Sequence, residues 1–312
     1  GYRVTAGGRV FLTRGVVNCA GLFSDEVLEM AQAPSIRLFP TSADYYVLDT
    51  KAAGVVRHVV FHEPEDRSKG LTLVPTVDGN ILVGPSEVPA DGKDGYATTR
   101  EGLDWLSRLA PEVIPSLPME HVIRSFGALR PNPFYVAPAP SGGGYVREDR
   151  GISNFIVHES ECCPAFLSLI GIKTPGLTCA GELGAYVADK MAALLGARPN
   201  PDFVPNRPAP LRLGELPFEQ RAQLAQENPA YGRLVCRCRG ISEGEILDSV
   251  RRSPGAVTVD GVKRRTGATS GRCQGGFCTQ RILELIAREL GVPPQGVTKD
   301  GPGSYVIGGD LP

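Results

Sequence analysis

Val235-Cys236-Arg237-Cys238 and, after an interval of 34 residues, Cys273-Gln274-Gly275-Gly276-Phe277-Cys278 decide how the C-terminal part of this chain is organised. The two pairs, C-x-C and C-x4-C, supply four soft thiolates, the ligand type that iron–sulfur clusters and structural zinc share. Gly271, Gly275 and Gly276 flank the second pair and let backbone come close to a bound group. Cys278 stands where a helix begins, so free amides and the positive dipole end favour its thiolate. Arg237, Arg239, Lys263, Arg264, Arg265 and Arg272 are placed to offset a cluster's negative charge or to meet an acidic partner. Zinc sites more often use C-x2-C knuckles. The pattern therefore favours a [2Fe–2S] cluster held by Cys236, Cys238, Cys273 and Cys278. A zinc site and four cysteines buried as small apolar side chains are the alternatives.

Outward from the cysteines, Ser242-Glu243-Gly244-Glu245 reads as a capping box opening a helix with Ile246, Leu247 and Val250. A second helix carries Ile282, Leu283, Ile286 and Leu290 on one face and ends at Gly291. Residues 231–312 are expected to form a small domain and tail. Pro199, Pro201, Pro205, Pro208, Pro210 and Pro217 mark residues 199–230 as a stiff linker.

Residues 1–198 read as mixed α/β. Val10-Phe11-Leu12, Val16 to Gly21, Tyr45 to Leu48, Val55 to Phe61, Leu71 to Val74 and Ile81 to Val83 are expected strands. Thr98 or Thr99 caps a helix through Leu103, Leu106 and Leu109 that stops before Pro111. Phe155 to Val157 and Phe166 to Ile170 are further strands. A helix of about four turns then runs through Val187 and Met191 to Leu195.

The 312 residues suffice for two domains, with 42% hydrophobic residues and a net charge of −1. That balance argues against broad nucleic-acid binding. No apolar run approaches membrane-spanning length. The chain opens in a strand-like pattern without Met and is read as a fragment or as one part of a split enzyme. Among the eight cysteines, Cys19 and Cys179 are single and Cys162 and Cys163 adjacent, which suits a reduced, cytoplasmic setting better than disulfides. His58, His62, His121 and His158 lack metal spacing and are read as structural or surface residues.

Two further segments point to a dinucleotide. Val16-Val17-Asn18-Cys19-Ala20-Gly21 is an apolar strand whose small end, Ala20 and Gly21, lets a dinucleotide approach backbone. Gly171-Ile172-Lys173-Thr174-Pro175-Gly176-Leu177-Thr178 is a turn opening a helix, where free N–H groups and a dipole end converge. That geometry suits the anionic edge of a reduced flavin. Lys173 adds a charge there or is a solvated loop lysine.

With Lys69-Gly70, Pro75-Thr76-Val77-Asp78-Gly79-Asn80, Gly84-Pro85 and Phe126-Gly127-Ala128-Leu129-Arg130, these segments resemble the glycine-oxidase/D-amino-acid-oxidase-like FAD family. The branch most similar is that of anaerobic glycerol-3-phosphate dehydrogenase large subunits and 2-hydroxyglutarate-oxidase-like proteins. The cysteine region, with Ile241 to Ile246 and Val262 to Thr266, resembles the bacterioferritin-associated-ferredoxin-like [2Fe–2S] domain.

The resemblance implies a partial FAD-dependent oxidoreductase fold of α+β or α/β class, with a substrate-domain β-sheet and FAD-binding segments, followed by a small helical [2Fe–2S] domain. It implies FAD contacts from Ala20, Gly21, Gly171, Ile172, Lys173, Pro175, Gly176, Leu177 and Thr178, and a substrate-anchoring arginine at Arg130. A guanidinium forks a carboxylate or phosphate bidentately; a structural arginine before Pro131 is the alternative. The implied reaction oxidises glycerol 3-phosphate or a similar small anionic 2-hydroxy compound by hydride transfer to flavin N5. Electrons then pass through the cluster to a partner subunit or quinone chain. An amino-acid or opine-type dehydrogenase and a non-catalytic iron–sulfur electron-transfer subunit are the other readings. The chain departs from the branch at Thr41-Ser42-Ala43-Asp44-Tyr45, at Asn154 and at Cys162-Cys163-Pro164, and it lacks the family's Gly-x-Gly-x-x-Gly strand–turn–helix.

Overall fold

The computed structural model describes residues 1–63, 70–140 and 142–308, so Lys69 lies outside the described residues. The chain divides into two compact units, Gly1–Asn200 and Pro201–Pro312.

The first unit opens with β1 (Tyr2–Ala6), β2 (Arg9–Thr13), β3 (Val16–Asn18), α1 (Ser24–Glu29), β4 (Ile36–Leu38) and β5 (Thr41–Leu48). Then come β6 (Val60–Phe61), β7 (Thr72–Pro75), β8 (Ile81–Gly84), β9 (Val88–Pro89) and α2 (Arg100–Val113). It closes with β10 (Val122–Arg130), β11 (Pro133–Pro138), β12 (Tyr145–Gly151), β13 (Ile156–Glu159), β14 (Phe166–Ile170) and α3 (Gly176–Leu195). The largest sheet has six strands in the order β10-β5-β8-β7-β6, with β9 also on β5. Helix α2 lies on this sheet. Its Leu106, Leu109 and Ala110 join Leu48, Leu71, Leu73, Ile81 and Val83 in one apolar cluster.

Strand β5 begins four residues before Tyr45, where the sequence shows only polar and small side chains. Ser42 and Asp44 are its inward residues and both are buried. Asp44 is tolerated there because its Oδ2 accepts from Thr99 Oγ1 at 2.6 Å, Thr99 N at 3.2 Å and Ser86 Oγ at 3.2 Å. Thr99 in turn caps α2 by accepting from Gly102 N. The carboxylate thus sits at the positive end of the helix, tying sheet to helix.

Three expectations about elements need correction. Only Val60–Phe61 of the stretch from Val55 is a strand; Thr50–Ala52 forms a 3-10 turn and Gly54 takes φ 88° just before it. Helix α2 does not stop before Pro111 but runs to Val113. The proline falls in the last turn, so little of the ladder is lost, and Leu109, Ala110 and Val113 stay packed on the sheet. Helix α3 has 20 residues, longer than the four turns expected, and ends at Gly196 in the left-handed region.

The second unit contains α4 (Phe218–Glu227), β15 (Leu234–Cys236), β16 (Ile241–Ser242), α5 (Glu243–Arg251), α6 (Val259–Thr266) and α7 (Thr279–Leu290). Ile246, Leu247, Val262, Ile282, Leu285 and Ile286 form its core, and Cys236 and Cys278 belong to it. The capping box is formed in both directions: Ser242 Oγ accepts from Glu245 N, and Glu245 Oε2 accepts from Ser242 N at 2.8 Å. Helix α4 lies inside the stretch read as linker. Leu213, also there, is buried and donates its N–H to Glu245 Oε1 at 3.1 Å. No helix among the described residues is long and apolar enough to cross a membrane.

Candidate functional site

Topology brings the dinucleotide segments of the first unit together. Strand β3 pairs in parallel with β14, Val16 opposite Phe166 and Asn18 opposite Ser168, and Asn18 Nδ2 donates to Ser168 Oγ at 3.0 Å. Parallel strands end on the same side. Ala20 and Gly21 after β3 therefore emerge beside Gly171 and Ile172 after β14, at the carboxyl edge where sheets of this kind take ligands. Gly171 has φ 67°, and a β-carbon there would stand 2.5 Å from Pro133 Cγ. The turn from Gly171 to Thr178 is thereby seated on the start of β11. Its Thr174, Pro175, Leu177 and Thr178 are exposed at the N-terminus of α3. Lys173 Nζ lies 3.4 Å from the Ile152 carbonyl oxygen.

The same contact brings in Arg130, three residues before Pro133 at the end of β10. Arg130 pairs with Thr41, Ala128 with Ala43 and Phe126 with Tyr45, so all share one face of the sheet. The Tyr45 and Phe126 rings stack with centroids 5.0 Å apart and planes 5° from parallel. Burial pushes the Tyr45 phenol up, and the Arg130 guanidinium partly offsets it. An aromatic platform and a half-buried arginine thus share one face. Sequence reading missed Tyr45 and Phe126 as site residues. Their signal, matching period-2 positions, becomes legible only when β5 and β10 are known to pair.

In the second unit the four cysteines converge. Cys238 Sγ and Cys273 Sγ are 3.5 Å apart, Cys236 and Cys278 are hydrogen-bonding neighbours, and Cys236 also touches Cys238. Contacts thus link all four sulfurs in the order Cys278, Cys236, Cys238 and Cys273, supplying the four thiolate ligands that a two-iron cluster requires. Cys236 and Cys278 are buried, Cys238 is exposed and Cys273 is half-buried.

The ligand loop is wound to aim its amides at sulfur. Thr269, Gln274 and Gly275 take left-handed φ values of 69°, 49° and 86°, a conformation costly for the two non-glycine residues and held by their surroundings. The Cys238 thiol draws the Cys273 thiol down, and N–H groups of Gly275, Phe277 and Gly276 add to this. Burial pushes the Cys278 thiol up to about 11, against the Thr269 N–H. The Cys273 N–H works to hold Cys238 down but is outweighed by the neighbouring thiols and burial. A β-carbon at Gly271 would stand 2.5 Å from Cys238 Sγ. Four converging thiols, amides aimed at them and a glycine wall fit a [2Fe–2S] cluster, whose sulfurs accept such hydrogen bonds.

The other four cysteines, Cys19, Cys162, Cys163 and Cys179, belong to the first unit. Cys162 and Cys163 lie against the Ala31 carbonyl at the end of α1. His58 and His121 join no metal-binding group among the described residues, nor do His62 and His158.

With this geometry established, comparison with known proteins is decisive. Residues 1–190 match the family described as FAD dependent oxidoreductase, and residues 234–288 match the BFD-like [2Fe-2S] binding domain. The chain belongs to the FAD-dependent oxidoreductase family. It is 36% identical to a glycerol 3-phosphate dehydrogenase of Caloramator mitchellensis, across 99% of this chain and 61% of that protein. It is 27% identical to one subunit of the anaerobic glycerol-3-phosphate dehydrogenase of Escherichia coli (strain K12), across 88% of this chain and 52% of that protein. The fold is shared with the FAD-complexed glycerol-3-phosphate dehydrogenase of Bacillus halodurans, with a TM-score of 0.59 and 19% identity over 91% of this chain and 60% of that one. The chain thus spans between half and two thirds of these relatives. The family assigns FAD to the first unit and the [2Fe–2S] cluster to the second.

Proposed function

We propose that this chain works in an FAD-dependent dehydrogenase of glycerol 3-phosphate that passes electrons through its [2Fe–2S] domain to a partner subunit. The observation that carries the reading is Arg130 on the aromatic face of β10 and β5, linked through Pro133 to the Gly171 loop. A guanidinium there forks the phosphate of a small substrate, and the Tyr45–Phe126 stack excludes water beside it. FAD supplies a two-electron hydride acceptor, and the cluster supplies a one-electron relay. The exposed N-terminus of α3 offers backbone N–H groups and a dipole end to negative charge on the isoalloxazine ring. Ala20, Gly21, Gly171 and Gly176 carry nothing larger than a methyl group at that edge, and Ile172, Lys173, Pro175, Leu177 and Thr178 complete the contact. Cys236, Cys238, Cys273 and Cys278 hold the cluster.

The similar glycerol 3-phosphate dehydrogenase supports the substrate. The similar chain from the anaerobic enzyme supports a multi-subunit assembly in which a second subunit is the acceptor. A cytoplasmic setting fits the unpaired thiols. The test is dye-coupled oxidation by the full-length protein with glycerol 3-phosphate, glycerol and a panel of amino acids and opines. Turnover of glycerol 3-phosphate alone is expected. Turnover of the amines instead overturns the substrate assignment.

A further inference from the structure

The quartet is asymmetric: Cys236 and Cys278 are sealed in the core, while Cys238 reaches the surface. Any electron leaving over the shortest path leaves by the Cys238–Cys273 edge. Most arginines elsewhere in the unit are held in place, some by carboxylates and Arg207, Arg252 and Arg265 by backbone carbonyls. Arg233 is paired with Glu243, Arg251 with Glu289, Arg264 with Asp300 and Arg281 with Glu243 and Glu284. Arg237, Arg239 and Arg272, which flank the ligands, have no carboxylate partner among the described residues, and neither does Lys263. Beside them Phe277, whose N–H serves Cys273, is 86% exposed. A cleft of about 1120 Å³ begins at Arg239, the neighbour of Cys238 in the chain, and eight basic side chains, Arg239 and Lys263 among them, line it against Glu215, Glu245 and Asp248.

Arginines required only to offset cluster charge need not stand unpaired in water, and an exposed phenylalanine contributes nothing to that task. An exposed aromatic side chain in the same ligand segments as exposed guanidinium groups without carboxylate partners has the composition of an interface centre. We propose that Phe277, Arg237, Arg239 and Arg272 form the docking surface for an acidic electron-accepting protein, whose carboxylates enter the cleft beside Arg239. The proposal rests on the cluster reading and is independent of the substrate. Charge complementarity at this surface speeds encounter and sets orientation, and Phe277 holds the cluster edge against the partner.

The experiment measures binding of the full-length, cluster-loaded protein to an acidic flavodoxin, with basic cytochrome c as the reverse-charge probe, by surface plasmon resonance. Flavodoxin is expected to bind and cytochrome c not. Raising KCl to about 0.3 M is expected to weaken binding by roughly tenfold. The combined Arg237→Glu, Arg239→Glu and Arg272→Glu variant and the Phe277→Ala variant are each expected to weaken it by about tenfold or more. The corresponding Arg→Lys variant retains most binding, and Arg221→Glu on α4 leaves it unchanged. Visible absorption and iron content are followed in every variant. Where the charge-reversed variant loses iron, Phe277→Ala and the salt series decide. Salt-insensitive binding, cytochrome c binding as tightly, or unchanged binding by variants that keep their iron overturns the proposal. Absence of cluster absorption in the unaltered protein overturns the cluster reading instead, and failure to turn over glycerol 3-phosphate leaves the docking surface standing.

Discussion

Gly271 backs directly onto the Cys238 thiol, so closely that a β-carbon at residue 271 would stand 2.5 Å from the sulfur. This glycine is required for space rather than for its φ, which lies outside the left-handed region. Gly271→Ala is expected to lower iron affinity by about tenfold or more, as loss of supporting structure around metal ligands does. Gly214→Ala, where a β-carbon meets nothing within 4 Å, leaves it unchanged. Iron titration with visible absorption checks both, and normal iron binding by Gly271→Ala removes the steric argument.

Serine at any of Cys236, Cys238, Cys273 or Cys278 is expected to abolish the [2Fe–2S] absorption. Serine at Cys19, Cys162, Cys163 or Cys179 leaves it intact. Cys236→Ser and Cys278→Ser also destabilise the unit, because both positions are core and a buried hydroxyl without a partner costs about 1–3 kcal/mol. Iron content and urea unfolding of the eight variants separate the two effects.

Arg130→Ala is expected to lower kcat/KM for glycerol 3-phosphate by about 2–4 kcal/mol of lost transition-state binding, mostly through KM. Arg130→Lys recovers part of it, since a point charge replaces the fork. FAD content, read from its absorbance, stays unchanged in both. Steady-state kinetics showing no change in KM would remove Arg130 from the substrate site.

Asp44→Ala leaves the Thr99 N–H and the Thr99 and Ser86 hydroxyls without their shared acceptor. A loss of about 2–4 kcal/mol of stability is expected. Denaturant unfolding of the variant, with m compared to that of the unaltered protein, measures it.

Glu243 is buried and receives Arg233 Nη2 at 2.8 Å and Arg281 Nη2 at 3.1 Å. The Arg233 hydrogen bond, opposed by burial and assisted by Arg281, holds its carboxyl down to about 2. The folded value lies below the ordinary 4.5. Ionised Glu243 therefore stabilises the fold fully above pH 4.5, and the contribution disappears as the pH falls through 2. With its arginine partners largely solvated, the contribution is on the order of 2 kcal/mol. The stability difference between the unaltered protein and Glu243→Gln should be constant from pH 7 to about 5 and shrink below that. A difference that grows on acidification contradicts the ion-pair account.

Local chemistry made much of this protein legible. The Ser242–Glu245 box, the Thr99 cap and the glycine stop of α7 depend on residues within a few positions of one another, and each is formed. Elements were misread where long-range packing overrode a local rule. Packing on the sheet carries α2 through Pro111, and Asp44 sits in a strand because Ser86 and Thr99, 42 and 55 residues away, satisfy it, while Ser42 Oγ donates to Asp44 Oδ1.

The amino-acid sequence by itself determined which groups are available: four thiols at C-x-C and C-x4-C, a Gly–Pro–Gly helix start and an arginine before a proline. Only the tertiary structure decided what those groups do together. Ala20 and Gly171 share a sheet edge because strands 150 residues apart pair in parallel, Arg130 joins them through Pro133, and burial separates the sealed thiols from the exposed ones. Turn and cap signals are short-range and survive in any context. Strand pairing, burial and the pairing of charges are settled by which distant surfaces satisfy one another, and no local pattern encodes that.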